Sequence, residues 1–538
     1  MHESKKQNYL RGAAILAAAS ILVKIVSAIY KMPIQNVLGE EGSGHFQITY
    51  NIYMFILAIS TQGIPVALSR LISAAEATGR TQLTKRYFSV AMPAFIVIGI
   101  IFSSVMAIFA NELAGFFENS LAAPGIRVMA PAIVFVCIIS VYRGYAQGHG
   151  NMVPTAISQV IEVVVKTIFG LVAAWLLLKA GQESHIISAG ATVGVTAGLG
   201  LAIPLLAVYK RKTDRTQYLG DTADAALPSK SAALKQILKV SVPISLGSAF
   251  MSVLTLLDSK VVLGQLKSGL GMLEAEAVAQ YGIYGRGLSI YNVPSALIVP
   301  ISISVIPAIA AALASGRKRE AAGIMESSVK LANLIAMPAG IGISVLSAPI
   351  YGVFYGDFVG ETGPRILAFL GIAAFFVCLQ IMTTALLQAT GNERVPMITY
   401  AIGGVLHIVM DYFLVPRLGI VGSPIGTITC YGTIAVLNLI FVMVRVKEKP
   451  KLAVGFLKPL LCAAVMGVAA RAVYELTFKL LSGSLGVSRI VMTLYLGAAI
   501  VVAVIVYAVL IIATGTLTKE DMTLLPKGEK LARLLRIK

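Results

Sequence analysis

The residues best equipped for chemistry lie where the chain is most apolar. Lys24, Lys166, Arg286 and Arg471 are cations inside long hydrophobic runs, and Glu162, Asp258 and Asp411 are acids in the same setting. A charge in hydrocarbon costs about 2.5 kcal/mol or more, so such residues face a cavity or a partner. Lys24 lies about 20 Å beyond Arg11 along a helix rising ~1.5 Å per residue, too deep to reach the entry surface. Arg286 sits among Tyr281, Tyr284, Tyr291 and Asn292. Two such cations facing one cleft make a site for a phosphate or another anion. The alternative is an interhelical salt bridge, with Asp258 the partner of Arg286. Glu162 and Lys166 are one helical turn apart and can neutralise one another. His407 and Asp411 share that spacing and could relay protons or pack as a satisfied structural pair.

The other titratable residues carry less. His2, His45, His149 and His185 fall in loops or at helix ends, where solvation is expected. Cys137, Cys378, Cys430 and Cys462 lie in apolar runs with neither disulfide nor metal spacing. No P-loop, HExxH, GxSxG or nucleotide fingerprint appears, so no cofactor or metal is expected.

Positioning these charges requires helices in lipid. The 538 residues are 57% hydrophobic and 13% charged, with a mean hydropathy of +0.84. A soluble domain carries roughly 25% charged residues, so water could not solvate this surface. Apolar runs at 10–30, 46–69, 88–110, 124–146, 153–178, 186–209, 237–259, 279–311, 325–347, 366–390, 395–414, 420–444, 455–477 and 490–513 each have the length of a bilayer crossing. The expected fold is therefore all-α, a polytopic membrane protein of about fourteen transmembrane helices. The first run lacks a small-residue cleavage site and reads as an uncleaved helix.

Loop charge tests the count. The net charge of +19 would suggest nucleic acid in a soluble protein, but here topology explains it and no nucleic-acid partner is expected. Most of the 44 basic residues gather in alternate loops on one face. The opposite face keeps Lys31, Arg127, Lys179, Lys260, Lys267, Arg365, Arg417, Lys479 and Arg489. That asymmetry expects both termini in the cytoplasm and an even number of helices. The tail from 519 to 538 reads as a basic amphipathic helix on the inner membrane surface.

The chain also repeats itself. Gln147, Gly150, Asn151 and Pro154 recur as Gln388, Gly391, Asn392 and Pro396, with one residue inserted before the proline. Ile64-Pro65 recurs as Ile306-Pro307, and the basic loops that follow share Gly79-Arg80 and Gly316-Arg317. Glycine and proline favour turns anywhere, but matched turns six helices apart describe a parallel repeat. Two six-helix lobes follow, residues 1–235 and 236–452, with an added helix pair and the tail in 453–538. The repeat gives Lys24 and Arg286 equivalent helix pairs in opposite lobes. Pro294, Pro300 and Pro307 crowd the helix that carries Arg286, which suits a bending element.

These features resemble a known family. YRGYAQGHGNMVPTAISQVIE at 142–162, VLGEEGSGHFQITYNIY at 37–53 and RGLSIYNVPSALIVPISISVIPAIA at 286–310 are similar to the polysaccharide-biosynthesis branch of the multidrug/oligosaccharidyl-lipid/polysaccharide exporter superfamily. The likeness is strongest to its sporulation stage V protein B and YtgP type, relatives of the MurJ lipid II flippases. It implies two lobes in a V and alternating access that carries an undecaprenyl-diphosphate-linked saccharide across the bacterial cytoplasmic membrane. It further implies that Lys24 and Arg286 stand where those flippases have arginines, and that Lys31 adjoins a third such position, at Tyr30. The positions of a further arginine and of an acidic residue fall near Leu57 and His45. On this view Lys24, Lys31 and Arg286 hold the diphosphate, and cell-wall synthesis enzymes are candidate partners. A cation-coupled multidrug exporter of the MATE type is the alternative, and it would need unpaired acids in its cavity. A membrane glycosyltransferase would need an acidic metal motif or a large external loop, and neither is visible.

Overall fold

In the computed structural model the described residues are 2–217, 227–356, 360–392, 394–445, 454–485 and 488–516. Every regular element among them is helical. In chain order the α-helices are α1 (His2–Thr61), α2 (Gly63–Ala77), α3 (Thr81–Ile108), α4 (Ala110–Phe116), α5 (Ala123–Met129), α6 (Pro131–Gly148), α7 (Val153–Lys179), α8 (Ser184–Gln217) and α9 (Lys230–Gly264). There follow α10 (Glu274–Tyr291), α11 (Val293–Ala314), α12 (Lys318–Val345), α13 (Ser347–Tyr355), α14 (Thr362–Ala389), α15 (Arg394–Leu418), α16 (Gly422–Arg445), α17 (Val454–Leu485) and α18 (Arg489–Ala513).

Each expected span has a helix. Among the described residues, ten stretches are long and apolar enough to cross a membrane. Two of them, Tyr30–Glu76 and Arg394–Val444, run for 47 and 51 residues, room for two crossings at about 20 residues each. Large apolar side chains stand exposed along α18, with Leu494 at 64% and Val504 at 63%, a surface that lipid covers and water would not. The four cysteines are buried and free, as their setting implies. The tail expected to lie on the membrane, 519–538, falls outside the described residues.

Several boundaries depart from expectation: 46–69 is interrupted at Gln62 and 124–146 at Ala130, and two others bear on the site. The first helix does not end near residue 30. It continues through Pro33 and bends only at Gly39, whose backbone is left-handed (φ 70°), before running on to Thr61. A proline inside a membrane helix is tolerated where neighbours re-satisfy the freed backbone groups. The span expected at 279–311 is interrupted at Asn292, between α10 and α11. Pro294 has no N–H to donate to the Ile290 carbonyl one turn earlier, which leaves the ladder open at this point.

The repeated turns adopt the same backbone. Gly150 and Gly391 are both left-handed, at φ 72° and 75°, and so are Gly79 and Gly316, at 73° and 74°. Each turn closes in the same way: Asn151 N–H donates to Ala146 O, Asn392 to Leu387, Arg80 to Ala75 and Arg317 to Ala312. Only glycine enters that conformation without strain, so the repeated residues are the ones the turn demands.

The chain divides into two compact units, Met1–Gly282 and Ile283–Lys538. In the first, α2, α3, α6 and α9 close around Leu68, Ile72, Phe95, Tyr145 and Ile237. In the second, α11, α12, α14 and α16 enclose Ile298, Met325, Met382 and Leu386, while α17 and α18 pack together and α17 docks on α12. The loop expected to separate the lobes includes residues 218–226, which lie outside the described residues, and α9 beyond it packs against α1, α2 and α3.

Candidate functional site

The first unit gathers its buried charges where α1, α6, α7 and α8 meet. Tyr30, Ile34 and Leu38 recur at helical spacing on α1 and bury against Ala174 of α7 and Ile187 and Ala191 of α8. The Tyr30 hydroxyl lies against Gly170, close to the middle of α7. Lys166 is the central residue of Val153–Lys179, about 20 Å from either end at ~1.5 Å per residue. Its ammonium is 6.0 Å from the centre of the ring of Tyr30, the residue that precedes Lys31 on α1. Lys31 was expected in a loop beyond the membrane; the continuous α1 places it level with the centre of α7 instead.

Close packing fixes this geometry. Gly190, Gly194 and Gly198 form a stripe of small residues on α8, the spacing that lets membrane helices approach backbone to backbone. A methyl group at Gly194 would lie 2.5 Å from the Gly170 nitrogen and closer still to the Lys166 carbonyl. One at Gly198 would lie 2.5 Å from the Glu162 carbonyl. The turns of α7 that carry Glu162 and Lys166 are thus pressed directly on α8.

Glu162 does not pair with Lys166. Arg143 of α6 donates from Nη2 to Glu162 Oε2 at 3.0 Å and from Nε to Ser158 Oγ at 3.0 Å. A planar guanidinium satisfies two acceptors at once, which a flexible ammonium one turn away does not match. Lys166 is left with no carboxylate in ion-pair range among the described residues. The Tyr30 hydroxyl, on a residue 5% exposed, likewise finds no hydrogen-bond partner among them. Lys31, Lys166 and the Tyr30 hydroxyl thus sit inside an apolar span with no acid drawn to them among the described residues.

The second unit holds the other charges. Arg286 of α10 is buried, and its guanidinium carbon stands 5.2 Å from the centre of the Tyr355 ring. Tyr355 Oη donates to the Arg286 carbonyl at 3.0 Å. Asp411 of α15 is fully buried and accepts from Ser423 Oγ at 3.0 Å, with His407 Nε2 at 3.7 Å from the same carboxylate. Thr427 Oγ1 lies 3.4 Å from His407 Nε2 and 2.9 Å from Tyr284 Oη. His407 and Asp411 therefore come together as their spacing implied, within a wider hydrogen-bonded group. Asp258 is buried on α9 of the first unit. Lys24 belongs to α1, and its side chain lies outside the described residues.

Two histidines expected in solvent are buried. His45 is 1% exposed with Nδ1 2.7 Å from Asn119 Oδ1, and the His149 imidazole is enclosed against the Glu76 carboxylate and the edge of Tyr145. Beside Asn119, Lys267 donates to Glu118 Oε2 at 2.9 Å and Glu274 Oε2 at 3.2 Å, while Ser120 N–H donates to Glu274 Oε1 at 2.7 Å. The hydrogen bond that Lys267 donates to Glu118 holds its ammonium above the ordinary lysine range, against the opposing pull of partial burial.

This arrangement can be set beside known proteins. The polysaccharide biosynthesis protein family model matches residues 9–313, more than half of the chain. The chain belongs to the polysaccharide biosynthesis protein family. The MatE model matches residues 243–413 of this family member. The chain is 27% identical over 526 residues to the Bacillus subtilis membrane protein YabM, covering 98% of this chain and 96% of that one. It is 25% identical to the Bacillus subtilis lipid II flippase MurJ, covering 93% and 94%. A solved structure of lipid II flippase MurJ in an inward closed conformation superposes with a TM-score of 0.64 at 16% identity, over 93% of this chain and 99% of that one. The protein is a multi-pass membrane transporter of the multidrug/oligosaccharidyl-lipid/polysaccharide superfamily, with the fold shared by MurJ and MATE proteins, and not an enzyme.

Proposed function

We propose that this transporter is a flippase that moves an undecaprenyl-diphosphate-linked saccharide, a lipid II-like cell-wall or polysaccharide precursor, across the bacterial cytoplasmic membrane by alternating access. The observation that carries the reading is Lys166 beside the ring of Tyr30 at the middle of the span, with Lys31 next to Tyr30 on α1: two cations and a buried hydroxyl suited to a diphosphate. The relative named for lipid II supports the cargo class. Loop charge supports two cytoplasmic termini, and the matched turns support two six-helix repeats, 1–235 and 236–452, with 453–538 appended. A cation-coupled drug exporter fits less well, because Glu162 is held by Arg143 and Asp411 by Ser423 and His407.

Translocation of defined undecaprenyl-diphosphate saccharides in reconstituted vesicles, with and without a membrane potential, tests this. Lys31→Gln combined with Lys166→Gln is expected to slow translocation at least about tenfold, a loss of about 1.4 kcal/mol. Wild-type rates from the folded double variant refute the proposal.

A further inference from the structure

We infer that Arg143 sets the charge selectivity of the anion site by withdrawing Glu162 from Lys166. The inference rests on the reading of Lys31 and Lys166 as an anion site and deepens it. Glu162 and Lys166 stand one turn apart on α7, the spacing at which a carboxylate and an ammonium pair without help. In a span where the effective dielectric is low that attraction strengthens. Yet the carboxylate is drawn to α6, where Arg143 grips it and Ser158 together. Ser158 is fully buried and itself donates to Thr155 O at 2.9 Å, so the second anchor of the fork is fixed. The tight turn at Gly150 folds α6 back along α7 and brings the two sides of the clamp face to face.

The charge balance states the consequence. With Arg143 present, Lys31, Lys166, Arg143 and Glu162 carry two net positive charges, and both lysines remain available. Without it, Glu162 turns to Lys166 and a single cation faces the ligand. Arg143 is thus a positioning residue that touches no substrate and acts through the acid it restrains. It favours a doubly charged headgroup over a neutral or zwitterionic one.

Binding of farnesyl diphosphate, compared with uncharged farnesol, to the purified full-length protein in detergent tests this. Arg143→Gln is expected to weaken diphosphate binding about tenfold and leave farnesol unchanged, the tenfold corresponding to about 1.4 kcal/mol. Adding Glu162→Gln should restore the diphosphate affinity, since the competing carboxylate is gone. Lys166→Gln should weaken binding in the wild type yet add nothing to Arg143→Gln. Arg143→Lys, which keeps the charge and loses the fork, should fall between. A purely structural clamp would shift the melting temperature of these variants without changing the ratio of the two affinities. Wild-type diphosphate binding by Arg143→Gln, or no restoration by the double variant at wild-type melting temperature, overturns the inference. Wild-type binding by Lys166→Gln alone instead overturns the anion site on which it rests.

Discussion

Gly194 is the position where one methyl group should do the most damage. In Gly194→Ala the new carbon would meet the Gly170 nitrogen at 2.5 Å and the Gly170 Cα at 2.7 Å, with the Lys166 carbonyl nearer still. Ordinary contact begins near 3.4 Å, and all three atoms are backbone, so no side chain can swing aside. The α8 helix must retreat from α7 by about 1 Å, and overpacking of this kind costs about 1–3 kcal/mol. The same substitution at Gly497 of α18 meets nothing within 4 Å. There the exchange of glycine for alanine inside a helix should stabilise by about 0.5–1 kcal/mol. Thermal unfolding of the purified protein in one detergent reads both effects. Gly194→Ala should melt lower than wild type and Gly497→Ala at or above it, and Gly194→Ala should also weaken diphosphate binding because the displaced carbonyl is that of Lys166. A Gly194→Ala protein as stable as wild type would refute direct backbone contact between α7 and α8.

Two further outcomes are expected. Arg286→Ala, which removes a buried cation worth about 2 kcal/mol against the face of Tyr355, should abolish complementation of a flippase-depleted strain, and full rescue by the expressed variant would exclude a role for this arginine in transport. Lys267→Ala should cost about 0.5–1 kcal/mol in thermal stability; because the folded ammonium titrates above its ordinary value of 10.5, that contribution is complete below that pH and disappears only as pH rises through the raised value, so a loss already evident on going from pH 6 to pH 9 would contradict it.

The helical spans were legible because hydropathy varies on the scale of a membrane crossing, and the repeated turns because only glycine serves them. What stayed hidden depends on competition between distant groups. Lys31 followed by Pro33 has the look of a helix leaving the membrane, yet the bend waits for Gly39, since helix ends are decided by backbone geometry and not by the first charge. Glu162 and Lys166 share a face, but the nearer lysine loses to Arg143, whose reach depends on the tightness of the α6–α7 turn. The burial of His45 and His149 depends on Asn119 and Glu76, residues far away in the chain. The four-residue spacing of Gly190, Gly194 and Gly198 was readable and marks the helix pair that carries the candidate site.

The Lys31 and Lys166 pair also bears on how a carrier could work. Each cation at the centre of a span costs about 2.5–3.5 kcal/mol, and their mutual repulsion adds to that in a medium of low dielectric. With a folding stability of about 5–15 kcal/mol in all, such a pair is a large burden. Glu162 does not relieve it, being committed to Arg143. A diphosphate would relieve it, because its charge opposes both lysines and its oxygens accept from the Tyr30 hydroxyl. The empty site is then the costly state and the loaded site the relaxed one, so binding is favoured wherever water is excluded. In the proposed cycle, release would follow when water enters and raises the dielectric around the same charges, lowering their hold on the ligand.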